Sequence, residues 1–271
     1  MSFNKIISIH GVPRSGTSWL GQIFDSSPEV RYKFQPLFSY AFKDDITLNS
    51  DKKELMKYYT RLYNYKDSFL DQEDKKIKGV YPDFKKKATL PSAVVTKMVR
   101  YHYLIPHLLK HLNNIYVVAI VRNPCAVLNS WENAPREFLD QWEFQNEWRF
   151  AQSMNQFKPE QYYGFNKWKE ATKLFLEMEK EYPDNFYVLR YEDLVKMPLE
   201  ISKELYEFTD IEWDEQTEEF LDKSTSISQK DKYSVYKGKK DPRDWEGELD
   251  SEIVDKIYSE LKDTELEEFL R

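Results

Sequence analysis

Two short, β-branched apolar runs are each followed by a tight turn and then by a helical pattern. Residues 6–9 form the first run, and Gly11-Val12-Pro13 follows it. From Thr17 onward, apolar residues recur at helical spacing until residues 25–28, where polar residues and a proline end the pattern. The chain therefore predicts a strand, a loop and a helix as its opening unit.

The second unit of this kind begins with residues 115–121, a near-continuous apolar run typical of a central parallel strand. Arg122-Asn123-Pro124 then turns into a helical pattern. Further strands are predicted at 93–97 and 186–189, and helices at 51–64, 101–113, 162–181, 198–208 and 249–262. Alternating strands and helices indicate an α/β fold, a P-loop-type parallel sheet flanked by helices on both faces. Ligands bind at the carboxyl edge of such sheets, where loops 10–18 and 122–130 fall.

Composition narrows the class of protein. The chain has 271 residues, no linker-like stretch and no repeat, so we expect a single domain spanning residues 1–271. Its net charge of −7 argues against nucleic acid as a partner. A single cysteine, Cys125, excludes a disulfide framework. Neither a signal peptide nor an 18-residue apolar run is evident, so we expect no membrane span and a cytoplasmic location.

The first loop has the outline of a phosphate-binding loop that lacks its lysine. Residues 11–18 read Gly, four residues, Gly, then Thr17 and Ser18, with Thr17 at the lysine position. Backbone N–H groups and the N-terminus of the following helix would face an anion, and Ser15, Thr17 and Ser18 add hydroxyl donors. Without the lysine, a magnesium-bound triphosphate is disfavoured as ligand. Arg14 instead offers a planar, permanently charged fork to oxyanions.

Four segments together resemble the sulfotransferases that use 3′-phosphoadenosine 5′-phosphosulfate (PAPS). Residues 13–20 are similar to the family's 5′-phosphosulfate loop, closest to the tyrosylprotein and carbohydrate branch, which has arginine there. Arg122 and Ser130, eight residues apart after a strand, resemble the pair that grips the 3′-phosphate. Residues 189–194 resemble a segment whose tyrosine contacts the nucleotide, and residues 236–245 resemble a late basic loop with a tryptophan.

The resemblance implies PAPS as donor, 3′-phosphoadenosine 5′-phosphate (PAP) as product, no metal, and a hydroxyl-bearing acceptor. The implied cofactor-binding residues are Arg14, Ser15, Gly16, Thr17, Ser18, Trp19, Arg122, Ser130, Tyr191, Lys239 and Arg243. For the late basic residues, a solvated charge run is the alternative. Two other functions stay open, a P-loop kinase acting on a small molecule and a non-catalytic nucleotide-binding protein.

Arg14, Lys97 and His102 are the predicted catalytic residues. Lys97 ends a predicted strand and resembles the family's lysine that bridges to the sulfuryl oxygens. The branch often places a glutamate where this chain has Gln35, which cannot accept a proton. His102 is the predicted substitute base, with His10 as a second candidate.

Two further features carry less information. His107 and His111 form an i, i+4 pair without an evident third ligand, so no metal site is predicted. Residues 138–168 are rich in aromatics, and their i, i+4 spacing favours core packing for most of them and a pocket for a few. None of these patterns distinguishes between a carbohydrate, a tyrosine and a small molecule as the acceptor.

Overall fold

A parallel sheet lies at the centre of the fold in the computed structural model, which describes residues 3–238 and 241–271. Its described strands are β1 (Lys5–His10), β2 (Val30–Phe34), β3 (Ala93–Met98), β4 (Ile115–Val121) and β5 (Phe186–Arg190). Their spatial order is β2-β3-β1-β4-β5, and every pairing is parallel. All five carboxyl ends therefore meet at one edge of the sheet.

Helices connect the strands and cover both faces of the sheet, which confirms the predicted α/β fold. In the part of the chain that the structure describes, they are α1 (Thr17–Asp25), α2 (Lys52–Asn64), α3 (Glu73–Ile77), α4 (Ile105–His111), α5 (Pro124–Glu132), α6 (Phe144–Glu147), α7 (Gln152–Asn155), α8 (Phe165–Glu181), α9 (Tyr191–Lys196), α10 (Pro198–Phe208), α11 (Glu215–Ser226) and α12 (Ser251–Leu261). Short 3₁₀ segments span Pro36–Phe38, His102–Leu104 and Glu267–Leu270.

The strands are apolar on both sides because each side packs under helices. Along β4, Val117, Ala119 and Val121 face one hydrophobic cluster, which includes residues of α2, α4, α5, α8 and α12. Val118 and Ile120 face the opposite cluster, which includes residues of α1, α10 and α11. This two-sided burial explains why the strand appears in the sequence as a continuous apolar run.

Strand β2 was not predicted from the sequence. Its residues, Val30-Arg-Tyr-Lys-Phe, interleave two cations with apolar positions, and it lies at the edge of the sheet beside β3. The Lys33 amino group is buried and donates to Asp71 at 2.7 Å, a partner 38 residues away along the chain. Because that partner is supplied by the tertiary structure, local patterning alone did not indicate a buried strand.

The predicted helix over 101–113 is shorter and begins later. Tyr101 has a left-handed backbone conformation with φ of 62°, which turns the chain sharply after β3. A 3₁₀ turn follows, and α4 then begins at Ile105, with Pro106 in its first turn, where proline is well tolerated.

A buried polar network lies against the sheet beneath α8. Ser8 Oγ contacts His10 Nε2 at 2.8 Å and Thr96 Oγ1 at 3.2 Å, and the Nδ1 atoms of His10 and His102 are 2.9 Å apart. Burial lowers the pKa of His10 from 6.5 to about 3. Burial, followed by the His10 charge, lowers the pKa of His102 well below its ordinary value. Both imidazoles are therefore neutral in the folded protein near neutral pH.

This network predicts that acid destabilises the fold. Unfolded histidines take up protons as pH falls below about 6.5, while the folded pair stays neutral, so stability is lost from that pH downward. Each buried histidine should lower the free energy of unfolding by about 1.4 kcal/mol for every pH unit below about 6.5. Urea unfolding at pH 7 and pH 5 measures this loss of unfolding free energy. In His102→Phe, the loss between the two pH values should be smaller by about 2 kcal/mol.

The matched control is His111→Phe on α4, whose half-buried side chain hydrogen-bonds the His107 carbonyl of its own helix. This change leaves the buried pair intact, so the loss of stability in acid should persist. A wild-type free energy of unfolding that is unchanged between the two pH values would refute the assignment.

Candidate active site

The loop after β1 turns back on itself through two left-handed residues. Arg14 has φ of 73° and Gly16 has φ of 96°. Gly11 lies so close to the neighbouring strand that an added Cβ would be 2.7 Å from the Ile120 carbonyl oxygen. Helix α1 begins at Thr17, so its free N–H groups and the positive end of its dipole face the loop. The segment therefore has the strand, tight loop and helix that the sequence predicts, and its role in anion binding stays a prediction.

The turn after β4 fixes the backbone at Arg122. Asn123 caps α5, accepting from the N–H groups of Cys125 at 2.9 Å and Ala126 at 3.4 Å. The Glu192 carboxylate accepts from the Asn123 N–H at 3.0 Å, and the Trp168 indole donates to the Arg122 carbonyl at 2.9 Å. These contacts come from α8 and α9, so three elements hold this turn in place.

Arg122 and Tyr191 join the two loops. The Arg122 guanidinium lies over the Tyr191 ring, 4.7 Å from its centroid, and donates through Nη1 to the Arg14 carbonyl at 3.2 Å. The same ring contacts Gly16, where an added Cβ would lie 2.5 Å from Tyr191 Cδ2. Within the described residues, the buried Arg122 Nε and Ser15 Oγ atoms have no hydrogen-bond partner. Of the two, Arg122 lines the open space at this edge of the sheet, so its orphaned Nε fits a bound anion.

The Arg14 side chain bridges three segments. Its Nε donates to Ser130 Oγ at 3.1 Å, and its Nη1 pairs with Glu137 Oε1 at 3.1 Å. Its guanidinium also lies 5.4 Å from the centroid of the Tyr233 ring. The second Glu137 oxygen accepts from the Tyr163 hydroxyl at 2.9 Å.

Lys97 lies at the carboxyl end of β3, opposite Phe34 of β2. Its amino group is buried 4.7 Å from the Phe34 ring centroid, and the Lys75 amino group lies at the same distance from that ring. Burial lowers the pKa of Lys97 well below its ordinary value, and the charges of Lys75, Arg100 and Arg14 act in the same direction. The site therefore concentrates positive charge where little water screens it.

These elements line one cleft of about 1420 Å³. Most of the predicted site residues border it, namely Arg14, Gly16, Thr17, Ser18, Trp19, Lys97, Arg122, Ser130 and Tyr191. Its described lining contains nine lysines and arginines but only four acidic residues, although the whole chain carries a net charge of −7. The cleft is a local positive region suited to a strongly anionic ligand.

Three predicted residues within the described chain are not brought to the cleft. The Ser15 side chain is fully buried in the loop, and His102 lies in the core, where its ring packs against Tyr162 and Phe175. The structure therefore does not place His102 where a base would meet an acceptor. Arg243 is exposed and lies near Asp241, with 3.7 Å between Nε and Oδ1. Lys239 lies outside the described residues.

Sequence reasoning missed five residues that line the cleft: Lys75, Arg100, Glu137, Tyr163 and Tyr233. Glu137 and Tyr233 lie in irregular segments without a periodic pattern, and Lys75 lies on the five-residue helix α3. Arg100 follows Lys97 by three positions, which was a usable signal. Tyr163 lies in the aromatic stretch, where a few pocket residues were expected but none was named, and like most of its neighbours there it is buried.

Among the described residues, no group of three or more His, Cys, Asp or Glu side chains is arranged to hold a metal ion. No helix in residues 3–238 and 241–271 combines the length and apolar character that crossing a membrane requires.

The fold and cleft define an α/β protein of the P-loop-like type. A family model described as the sulfotransferase family matches residues 7–215, and the chain belongs to that family. The match does not distinguish branches, so the tyrosylprotein and carbohydrate branch stays a prediction. By sequence alone, no curated protein matches the chain.

Solved structures share the fold at low sequence identity. Mouse sulfotransferase SULT7A1 complexed with PAP is 14% identical, with a TM-score of 0.59, covering 99% of this chain and 90% of that one. The sulfotransferase domain of the Synechococcus PCC 7002 olefin synthase is 13% identical, with a TM-score of 0.51 and 96% of both chains covered. A sulfotransferase domain of the curacin biosynthetic pathway is 16% identical, with a TM-score of 0.50, covering 96% and 98%.

The contact between Gly16 and Tyr191 predicts that Gly16→Ala destabilises the protein through two effects. A non-glycine residue in the left-handed region costs about 1–2 kcal/mol, and overpacking against the ring adds about 1–3 kcal/mol. Gly247→Ala is the matched control, because Gly247 has φ of 83° but no atom within 4 Å of an added Cβ. Urea unfolding should show a clearly larger loss for Gly16→Ala. Equal losses would mean that Tyr191 does not constrain the loop.

Proposed function

We propose that this chain transfers a sulfuryl group from PAPS to a hydroxyl-bearing acceptor. The observation that carries the proposal is the pairing of two anion-binding turns at one sheet edge, residues 11–18 after β1 and Arg122 after β4. Two turns that each carry an arginine suit a donor with phosphate at both its 3′ and 5′ positions. Membership of the sulfotransferase family and a shared fold with a mouse enzyme crystallised with PAP support it.

The residues in the cleft fit the donor at both ends. Arg122 and Ser130 would hold the 3′-phosphate, since Arg122 Nε is a buried donor without a partner in the described chain. Loop N–H groups, Arg14 and Thr17 would face the 5′-phosphosulfate. Tyr191 would then hold Arg122 against the loop from behind.

The chemistry would depend on positioning and electrostatics. In sulfuryl transfer, the acceptor oxygen attacks sulfur while the bond between sulfur and the 5′-phosphate oxygen breaks, so negative charge grows on the departing nucleotide. Fixed positive groups aimed at that oxygen stabilise it without reorganising at the moment of reaction. Arg14 borders this part of the cleft, and Lys97 would meet the sulfuryl oxygens.

Transfer assays with sulfur-labelled PAPS against carbohydrate, tyrosine-peptide and phenol acceptors test the proposal and its alternatives. A labelled product in any class supports it. Turnover of ATP with magnesium and no sulfated product would favour a P-loop kinase, despite the absent loop lysine. Binding of PAP without transfer to any acceptor would indicate a non-catalytic nucleotide-binding protein.

The site predicts that Arg122→Ala selectively weakens recognition of the 3′-phosphate. Calorimetry should show that the wild type binds PAP more tightly than adenosine 5′-monophosphate, which lacks that group. Loss of a charge-assisted contact should weaken PAP binding by about 10- to 100-fold and leave the monophosphate nearly unaffected. Arg149→Ala, which removes an arginine paired with Glu260 outside the cleft lining, should behave as wild type. Equal weakening of both nucleotides would contradict the assignment.

Arg14→Ala should abolish most of the transfer while the fold stays intact. Removing one preorganised donor to developing negative charge typically costs about 100-fold or more in rate. Arg14→Lys should be intermediate, because it keeps the charge but loses the planar fork. Transfer rates with labelled donor measure the effect, and circular dichroism checks the fold. Wild-type rates in Arg14→Ala would rule out the role.

A further inference from the structure

The segment after β2 offers no proton acceptor to the cleft. Gln35 carries an amide, and its Oε1 atom already accepts from Arg100 Nη1 at 2.7 Å. His102 is fully buried in the core. Transfer to a hydroxyl acceptor nevertheless requires that the hydroxyl proton be removed near the sulfur atom. Another side chain at the cleft must supply the base.

Glu137 is an acidic side chain that lines the cleft and contacts Arg14, with 3.1 Å between its Oε1 and Arg14 Nη1. The charges acting on Lys97 are cationic Lys75, Arg100 and Arg14, and acidic Glu137. Charges from Glu137, Arg100 and Arg14 also act on Tyr163. Glu137 therefore lies among the same cations that would bind the sulfuryl group.

The position of Glu137 is fixed by its neighbours. Its carbonyl accepts from the indole N–H of Trp131, which is almost fully buried, at 3.1 Å. Its carboxylate is held between Arg14 Nη1 and the Tyr163 hydroxyl, at 3.1 and 2.9 Å. Burial raises the pKa of Tyr163 well above its ordinary range, so Tyr163 keeps its proton and continues to donate. These contacts fix the position and orientation of the carboxylate.

We propose that Glu137 is the general base that deprotonates the acceptor, an inference that rests on the proposed function. The acceptor oxygen forms a bond to sulfur while its hydroxyl proton passes to a Glu137 oxygen. The bond between sulfur and the 5′-phosphate oxygen breaks, and its electron pair leaves with PAP. Protonated Glu137 then gives its proton to water, which regenerates the carboxylate for the next turnover.

Other acidic residues at the cleft are less well placed. Glu132, Asp244 and Glu248 also line it, and Glu248 accepts from Asn129 Nδ2 at 2.8 Å. Among the described residues, Arg14 hydrogen-bonds the carboxylate of Glu137 and of none of these three.

The test compares Glu137→Gln with the wild type on phenol and 4-nitrophenol as acceptors, using labelled PAPS. Glutamine keeps an oxygen for Arg14 but cannot accept a proton. The rate with phenol should fall by about 100-fold or more, as expected for a lost general base. The acidic 4-nitrophenol needs little help in losing its proton, so its rate should fall by less than about 10-fold. A loss that is equal for both acceptors would overturn the proposal.

Two more measurements separate proton transfer from donor binding. Formate or acetate should restore part of the activity of Glu137→Ala in a concentration-dependent way, because a small carboxylate can replace the missing base. PAP affinity by calorimetry should stay within about 3-fold of wild type in Glu137→Gln, since no charge-assisted contact of about 1.5–3 kcal/mol to the nucleotide is lost. An affinity loss that matches the rate loss would assign Glu137 to positioning Arg14 instead.

Asp140→Asn is the matched control. It removes the same charge from the same segment at an exposed position and should leave both rates unchanged. If the wild type transfers sulfate to these phenols and Glu137→Gln does so equally well, only the assignment of Glu137 fails. If the wild type binds PAP but sulfates neither phenol nor any other acceptor, the proposed function fails as well.

Discussion

Positive charge gathered in a poorly solvated cleft is the constraint on which the rest of this structure depends. Arg14, Lys75, Lys97, Arg100 and Arg122 all border one cavity, although the chain as a whole is acidic. Like charges near one another in a low dielectric repel strongly, and the lowered pKa of Lys97 reflects burial together with that repulsion. A bound polyanion would relieve the repulsion and stabilise the folded state by mass action.

Aromatic rings stabilise the clustered cations of the cleft when no anion is bound. Each cation lies over a ring face, where the quadrupole attracts positive charge without neutralising it. The pairs are Lys75 and Lys97 on Phe34, Arg100 on Phe38, Arg122 on Tyr191 and Arg14 on Tyr233. Glu137 is the exception among these contacts, since it meets Arg14 with a full opposite charge. Cations held on rings remain available to an anion, whereas cations paired with carboxylates would first have to exchange partners.

Prediction from the sequence was most accurate where the local patterns of strands, turns and helices agree with the fold. The units β1–α1 and β4–α5 combine apolar strands with turn residues of defined chemistry, so both loops were correctly placed at one edge. Strand β2 was missed because the partner of buried Lys33 lies far along the chain. His102 was predicted at the site because it follows β3 closely, but the left-handed residue Tyr101 turns the chain so that His102 packs beneath the sheet. A single backbone angle of this kind is not visible in residue spacing.

The aromatic stretch connects the core to the proposed proton acceptor. Trp131 packs against Phe138 and Tyr163, with ring centroids 5.3 and 5.5 Å apart, and its indole N–H holds the Glu137 carbonyl. Tyr163 in turn reaches the Glu137 carboxylate from the other side. Residues whose spacing predicts ordinary core packing therefore also orient a side chain that lines the cleft. Because a packed core has little free volume, this support fixes Glu137 more firmly than a solvent-exposed loop would. A general base needs that rigidity, since its contribution depends on its distance and angle to the proton.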